Sequence, residues 1–101
     1  MSDALQETDV YVDPDQRFII FVRTDDPAGL GGDLFLSSRE GRGWSAPRHL
    51  GAVVNSKEYE YGPEISPDGK TLYFTSHRSG QADIYSVPAA SVGIPERARI
   101  R

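Results

Sequence analysis

Apolar residues along this chain come in short bursts separated by turn formers. Phe18-Ile19-Ile20-Phe21-Val22 runs uninterrupted after Asp13-Pro14-Asp15-Gln16, and Leu72-Tyr73-Phe74-Thr75 follows Pro67-Asp68-Gly69 in the same way. Bursts of this length, bounded by turn signals, are too short for helices and predict central strands buried on both faces. Shorter clusters at Val10-Tyr11-Val12, Glu64-Ile65-Ser66, Leu34-Phe35-Leu36 and Ile84-Tyr85-Ser86-Val87 predict flanking strands. Two further stretches, Trp44 to Leu50 and Ile94 to Ile100, each contain a proline, which suits a fourth strand at a sheet edge. Helix signals are almost absent.

The bursts recur in register. Pro14-Asp15 lies 53 positions before Pro67-Asp68, and that offset also sets Glu7 over Glu60, Val12 over Ile65, Arg17 over Lys70 and Phe21 over Phe74. Beyond the central strand the offset falls to 50, setting Asp33-Leu34-Phe35 over Asp83-Ile84-Tyr85, Trp44 over Ile94 and Leu50 over Ile100. A loop three residues shorter in the second copy accounts for the change. The chain therefore divides into a tail over 1–6, one unit over 7–50, a linker over 51–59 and a second unit over 60–101. Four antiparallel strands repeating about every 50 residues describe a propeller blade. The competing architecture is a single sandwich of about eight strands. Pro67-Asp68-Gly69 predicts a tight turn, proline fixing its own φ and glycine accepting φ > 0. Gln16 stands where Gly69 would be, so the first copy is expected to turn differently.

The stretch Ser66-Pro67-Asp68-Gly69-Lys70-Thr71-Leu72-Tyr73-Phe74-Thr75-Ser76-His77-Arg78, continued by a Gly-containing loop and Asp83-Ile84-Tyr85, closely resembles the WD40-like β-propeller repeat of the TolB type. Trp44-Ser45-Ala46-Pro47 with Leu50-Gly51 and Asn55 resembles the bridge between two such repeats. The resemblance covers about Glu7 to Tyr85 and implies an all-β fold built from blades, about six in a complete ring. The first copy departs from it, with Asp13-Pro14-Asp15-Gln16 and Arg23-Thr24-Asp25 in place of the motif residues.

Two blades are too few to close a ring. A blade whose strands are apolar on both faces needs a neighbour on each side, and two uncovered faces would forgo stabilisation on the order of 10 kcal/mol. Self-assembly into a homo-oligomer supplies the neighbours: three chains give six blades and four give eight, and the trimer matches the size that the resemblance implies.

Composition adds exclusions. The chain has 101 residues, 38% hydrophobic and 26% charged, with a net charge of −4, which argues against a nucleic-acid partner held through phosphate neutralisation. No cysteine and only two histidines leave no thiolate chemistry and a poor basis for a zinc site. No stretch is apolar enough to cross a membrane, and the acidic start Met1-Ser2-Asp3 does not read as a signal peptide, so the chain is expected in the cytoplasm as written, or in the periplasm or outside the cell if trimmed from a longer precursor. Nothing in the pattern calls for a cofactor or a metal.

Candidate site residues follow from the repeat. Glu7 and Glu60 share one repeat position and, with Tyr59, Tyr61, His77 and Arg78, are candidates for binding a protein or peptide at the mouth of a central channel. The competing role for each glutamate is a clasp onto backbone amides or an arginine of the next blade. Asp33 and Asp83 recur before the third strand, and with Pro67, Asp68 and Gly69 they are read as turn residues. Asp25, Asp26, Gly29, Gly31 and Gly32 lack the spacing of an EF-hand loop. Ser76, His77 and Asp83 contain the residue types of a hydrolytic triad, but neighbours in a strand point to opposite faces. His49 beside Arg48 reads as a solvated edge, Trp44 as a packing anchor, and Arg97, Arg99 and Arg101 as charges guarding a sheet edge. The function expected is a non-enzymatic scaffold or binding module. The alternatives are a hydrolase- or lyase-type enzyme with acidic residues at the channel, and a fragment of a longer propeller.

Overall fold

The computed structural model describes residues 10–23 and 32–95. They form β1 (Val10–Val12), β2 (Phe18–Arg23), β3 (Asp33–Glu40), β4 (Gly43–Trp44), β5 (Arg48–His49), β6 (Glu60–Ile65), β7 (Thr71–Ser76), β8 (Asp83–Pro88) and a 3₁₀ turn over Ala89–Val92. A first sheet runs β1-β2-β3-β4, with β5 also paired to β3, and a second runs β6-β7-β8. Every strand pair is antiparallel, so the fold is all-β, as the short apolar bursts imply.

Several strand boundaries differ from the sequence reading, β3 running four residues past the expected Leu36 to Glu40. The stretch from Trp44 to Leu50 divides into β4 and β5, because Pro47 between them has no N–H to continue a ladder. β6 begins at Glu60, four residues earlier than expected, and crosses a register shift between Tyr61 and Glu64 that contains Gly62 and Pro63. Before Ile94 the chain makes the 3₁₀ turn, closed by Gly93 at φ 75°, and the rest of the expected last strand, from residue 96, lies outside the described residues.

The hairpin turns of the two copies share one backbone. Gln16 N–H donates to the Asp13 carbonyl at 2.7 Å and Asp13 N–H to the Phe18 carbonyl at 3.1 Å; Gly69 N–H to Ser66 and Ser66 N–H to Thr71 repeat both bonds at 2.8 and 2.9 Å. Gln16 accepts the left-handed conformation that Gly69 occupies, with φ 58° against 79°, so the expected difference between the turns does not arise. What differs is the side-chain bracing. Asp13, 2% exposed, accepts from Arg17 N at 2.9 Å, Arg17 Nε at 2.8 Å and an Arg17 terminal nitrogen at 2.9 Å. In the second copy Ser66 and Asp68 divide that work. Ser66 Oγ accepts from Thr71 N and donates to Asp68, which accepts from Lys70 N.

The shared turn fixes which residues of the two sheets correspond, and that correspondence exposes how the sheets pack. In β2 the buried positions are Phe18, Ile20 and Val22, with Leu34 and Leu36 opposite them in β3. In β7 they are Leu72, Phe74 and Ser76, with Val87 and Tyr85 opposite in β8. Phe18 corresponds to Thr71, not to Leu72, so the two sheets bury faces of opposite parity. The buried sets of the two sheets merge into one core. At roughly 1.5–3 kcal/mol for each large apolar side chain removed from water, this contact dominates the stability of the pair.

The two outward faces are therefore also of opposite type. On sheet one Ile19 and Phe21 of β2 pair across with Val12 and Val10 of β1, and Phe21 with Phe35 of β3. Val12 is 52% exposed there, while Phe35 is shielded by Phe21, Arg23 and His49. On sheet two Thr71, Tyr73 and Thr75 alternate outward, and Ile84, opposite Thr75, is 75% exposed. The expectation that Leu72 to Thr75 would be buried on both faces fails: the hydroxyls of Thr71, Tyr73 and Thr75 keep one face tolerable to water.

Replacing Gln16 by Gly should relieve the left-handed strain and stabilise the fold by roughly 0.5–1 kcal/mol, whereas Gly69→Ala should destabilise it by about 1 kcal/mol, both measured by urea unfolding. The Arg17 guanidinium holds the Asp13 carboxyl below its ordinary value of 3.8. Its contribution is thus complete above that value and lost as the pH falls through the depressed one. Asp13→Asn should cost about 1–3 kcal/mol at pH 7 and progressively less in acid, and an equal deficit at pH 7 and pH 2 would contradict this account.

Candidate functional site

Glu60 opens β6 and is 0% exposed, enclosed where the linker, β6 and β7 meet. Its side chain accepts from Ser56 N at 3.1 Å, from the Ser56 hydroxyl and from Ser76 Oγ at 2.8 Å, and the Arg78 guanidinium lies 3.7 Å away. Ser76 Oγ in turn accepts from Arg78 N at 3.1 Å and Arg78 Nε at 2.9 Å. Arg78 also reaches back to the Val54 carbonyl and lies over the rings of Phe74 and Tyr85, at 5.5 and 4.8 Å from their centroids. A buried carboxylate is tolerable only when its oxygens are satisfied, and this one is satisfied wholly within the chain. Glu60 is a clasp that fastens the crossing between sheets to the second sheet.

The aromatic candidates gather on the other side of β6. Tyr59 and Tyr61, two residues apart, set their ring centroids 4.8 Å from each other, and His77 completes the cluster at 6.1 and 5.7 Å. The Tyr61 hydroxyl and His77 Nε2 are 3.3 Å apart. All three residues are half-buried. Tyr59 packs so closely on Gly32 that a Cβ there would fall 2.5 Å from its ring. Glycine at position 32 is thus required by close approach, and Glu60 N–H bonds its carbonyl at 2.9 Å. Tyr59, Glu60, Tyr61, His77 and Arg78 do come together, but on two sides of one strand.

The remaining candidates resolve into local structure. Asp83 accepts from Ser79 Oγ at 2.7 Å and so braces the preceding loop. The turn before Asp33 lies outside the described residues, and the partner that is described is His49, whose Nε2 lies 2.9 Å from Asp33 Oδ2. Gly51 N–H donates to His49 Nδ1 at 3.0 Å, and Asn55 Nδ2 lies 3.2 Å from His49 Nε2. His49 is thus a bonded element of the crossing and not merely a solvated edge, and its neighbour Arg48 donates to the Val92 and Gly93 carbonyls, both at 3.2 Å. Trp44 is 43% exposed, with the Arg39 guanidinium over its ring. Ser76 and His77 have separate partners, Glu60 and Tyr61, so no hydrolytic triad forms with Asp83. Glu7, Asp25, Asp26, Gly29, Gly31, Arg97, Arg99 and Arg101 lie outside the described residues.

Asn55 was not singled out by the sequence reading beyond its place in the bridge. Buried, it accepts from Leu34 N at 2.7 Å and donates to the Leu34 carbonyl at 3.1 Å, a carbonyl that also accepts from Leu50 N at 3.2 Å. Its only sequence signal is an amide flanked by Val53-Val54 and Ser56 in an otherwise polar linker. Among the described residues no group of three or more His, Cys, Asp or Glu side chains is placed to hold a metal ion, and no helix is long and apolar enough to cross a membrane.

Comparison with protein-family models, with curated proteins and with solved structures yields no match for this chain.

Glu60→Gln keeps the volume but replaces an acceptor oxygen with a donor facing Ser56 and Ser76. It should cost about 1–3 kcal/mol in urea unfolding, and a neutral outcome would show that the clasp is dispensable.

Proposed function

We propose that the chain is a non-enzymatic β-propeller scaffold of TolB-type repeats, each sheet serving as a blade, that closes a ring with copies of itself and presents a binding surface to a protein or peptide. The opposite parity of the two buried faces carries this reading. Two sheets of a sandwich related by a twofold axis would bury corresponding residues, Phe21 with Phe74. Successive blades bury non-corresponding ones, as Phe18, Ile20 and Val22 do against Leu72 and Phe74. Matched stacking of Phe21 on Phe35 and Phe74 on Tyr85, with centroids 6.2 and 6.1 Å apart, supports treating the sheets as two copies of one unit. The scaffold role is supported by the chemistry of the buried polar groups, since Asp13, Asn55, Glu60 and Ser76 all brace the fold. Three chains would give six blades and four would give eight.

Light scattering over a hundredfold range of protein concentration tests the ring. Three chain masses are expected, four would keep the ring with eight blades, and one chain mass throughout would overturn it.

A further inference from the structure

The way the two sheets meet inside the chain specifies how two chains would meet. Within the chain the set Phe18, Ile20, Val22, Leu34 and Leu36 shares one buried core with Leu72 and Phe74 of a second set, whose Tyr85 and Val87 pack against that core. Each set has a counterpart on an outward face. Ile19, Phe21 and Phe35, outward on sheet one, correspond to Leu72, Phe74 and Tyr85. Thr71, Tyr73, Thr75, Ile84 and Ser86, outward on sheet two, correspond to Phe18, Ile20, Val22, Leu34 and Leu36. The open faces are thus one of each type, at opposite ends of the stack, and neither is its own complement.

We propose that copies join head to tail, the outward face of sheet one in one copy receiving the outward face of sheet two in the next, as the two sheets already pack within the chain. This rests on the self-assembly reading and adds its polarity: the contact is heterologous, and every copy offers one acceptor and one donor face. On the acceptor side Val10, Val12, Ile19 and Phe21 form an apolar surface. On the donor side Ile84 and Tyr73 project beside the hydroxyls of Thr71, Thr75 and Ser86 and the exposed carboxylate of Glu64, which pairs across from Tyr73, so the apolar contact is confined to a few protruding side chains. An isologous pair would set sheet one's outward face against itself, a packing of like faces of which the described residues contain no example.

Two variants and their mixture test this by sedimentation equilibrium. Val12→Lys blocks the acceptor face and Ile84→Lys the donor face, both at exposed positions that leave the core untouched, with Val10→Lys and Tyr73→Glu as a second pair. Far-ultraviolet circular dichroism and urea midpoints close to wild type establish that the variants fold. The wild type should assemble, each variant alone should sediment as one chain, and an equimolar mixture should form a two-chain species, since one intact acceptor then meets one intact donor. If Ile84→Lys still self-associates, or if the mixture of either pair gives only single chains while the wild type assembles, head-to-tail joining is wrong and the closed ring falls with it, while association of copies through some other face survives. If the wild type is itself a single chain, both fall.

Discussion

The burial of one face from each sheet, out of phase by one residue, is the constraint on which the molecule depends. A side chain in a strand reaches one face only, so choosing Phe18, Ile20 and Val22 on one sheet and Leu72 and Phe74 on the other decides every outward side chain as well. The single-residue phase difference distinguishes two sheets laid in sequence from two sheets folded onto each other. It also leaves unlike surfaces exposed at the two ends.

Holding that phase requires the crossing between the sheets to be rigid, and the polar residues supply the rigidity. Asn55 bonds both backbone groups of Leu34, Glu60 draws Ser56, Ser76 and Arg78 together, and Arg48 ties the first sheet to the turn after β8. Hydrogen bonds of this kind add modestly to net stability. Left unmade in a buried setting, they cost far more, which makes them effective at excluding other arrangements.

Much of the strand pattern could be read from the chain because turn residues and short apolar bursts are local signals. The competing role of Glu60 as a clasp was legible from its residue type, though the arginine beside it, Arg78, comes from the same unit and not from the next. Positions 71, 73 and 75 carried a plain signal of a wetted face, threonine and tyrosine alternating with Leu72 and Phe74, which the eye for uninterrupted hydrophobicity passes over. Gln16 hid its turn because propensity favours glycine there, while the bonds made by Asp13 hold the backbone regardless. Asn55, and the pairing of Asp33 with His49, depend on residues 16 to 21 positions apart and leave no mark in any local window.

The crossing has a bearing on chemical ageing. An asparagine followed by serine loses its amide when the serine backbone nitrogen attacks the side-chain carbonyl carbon and ammonia departs. Here the nitrogen of Ser56 is engaged by Glu60, and the departing nitrogen of Asn55 is bonded to the Leu34 carbonyl. Deamidation at this pair is therefore gated by opening of the crossing, so the lifetime of the covalent chain is set by the same contacts that set the phase of its sheets.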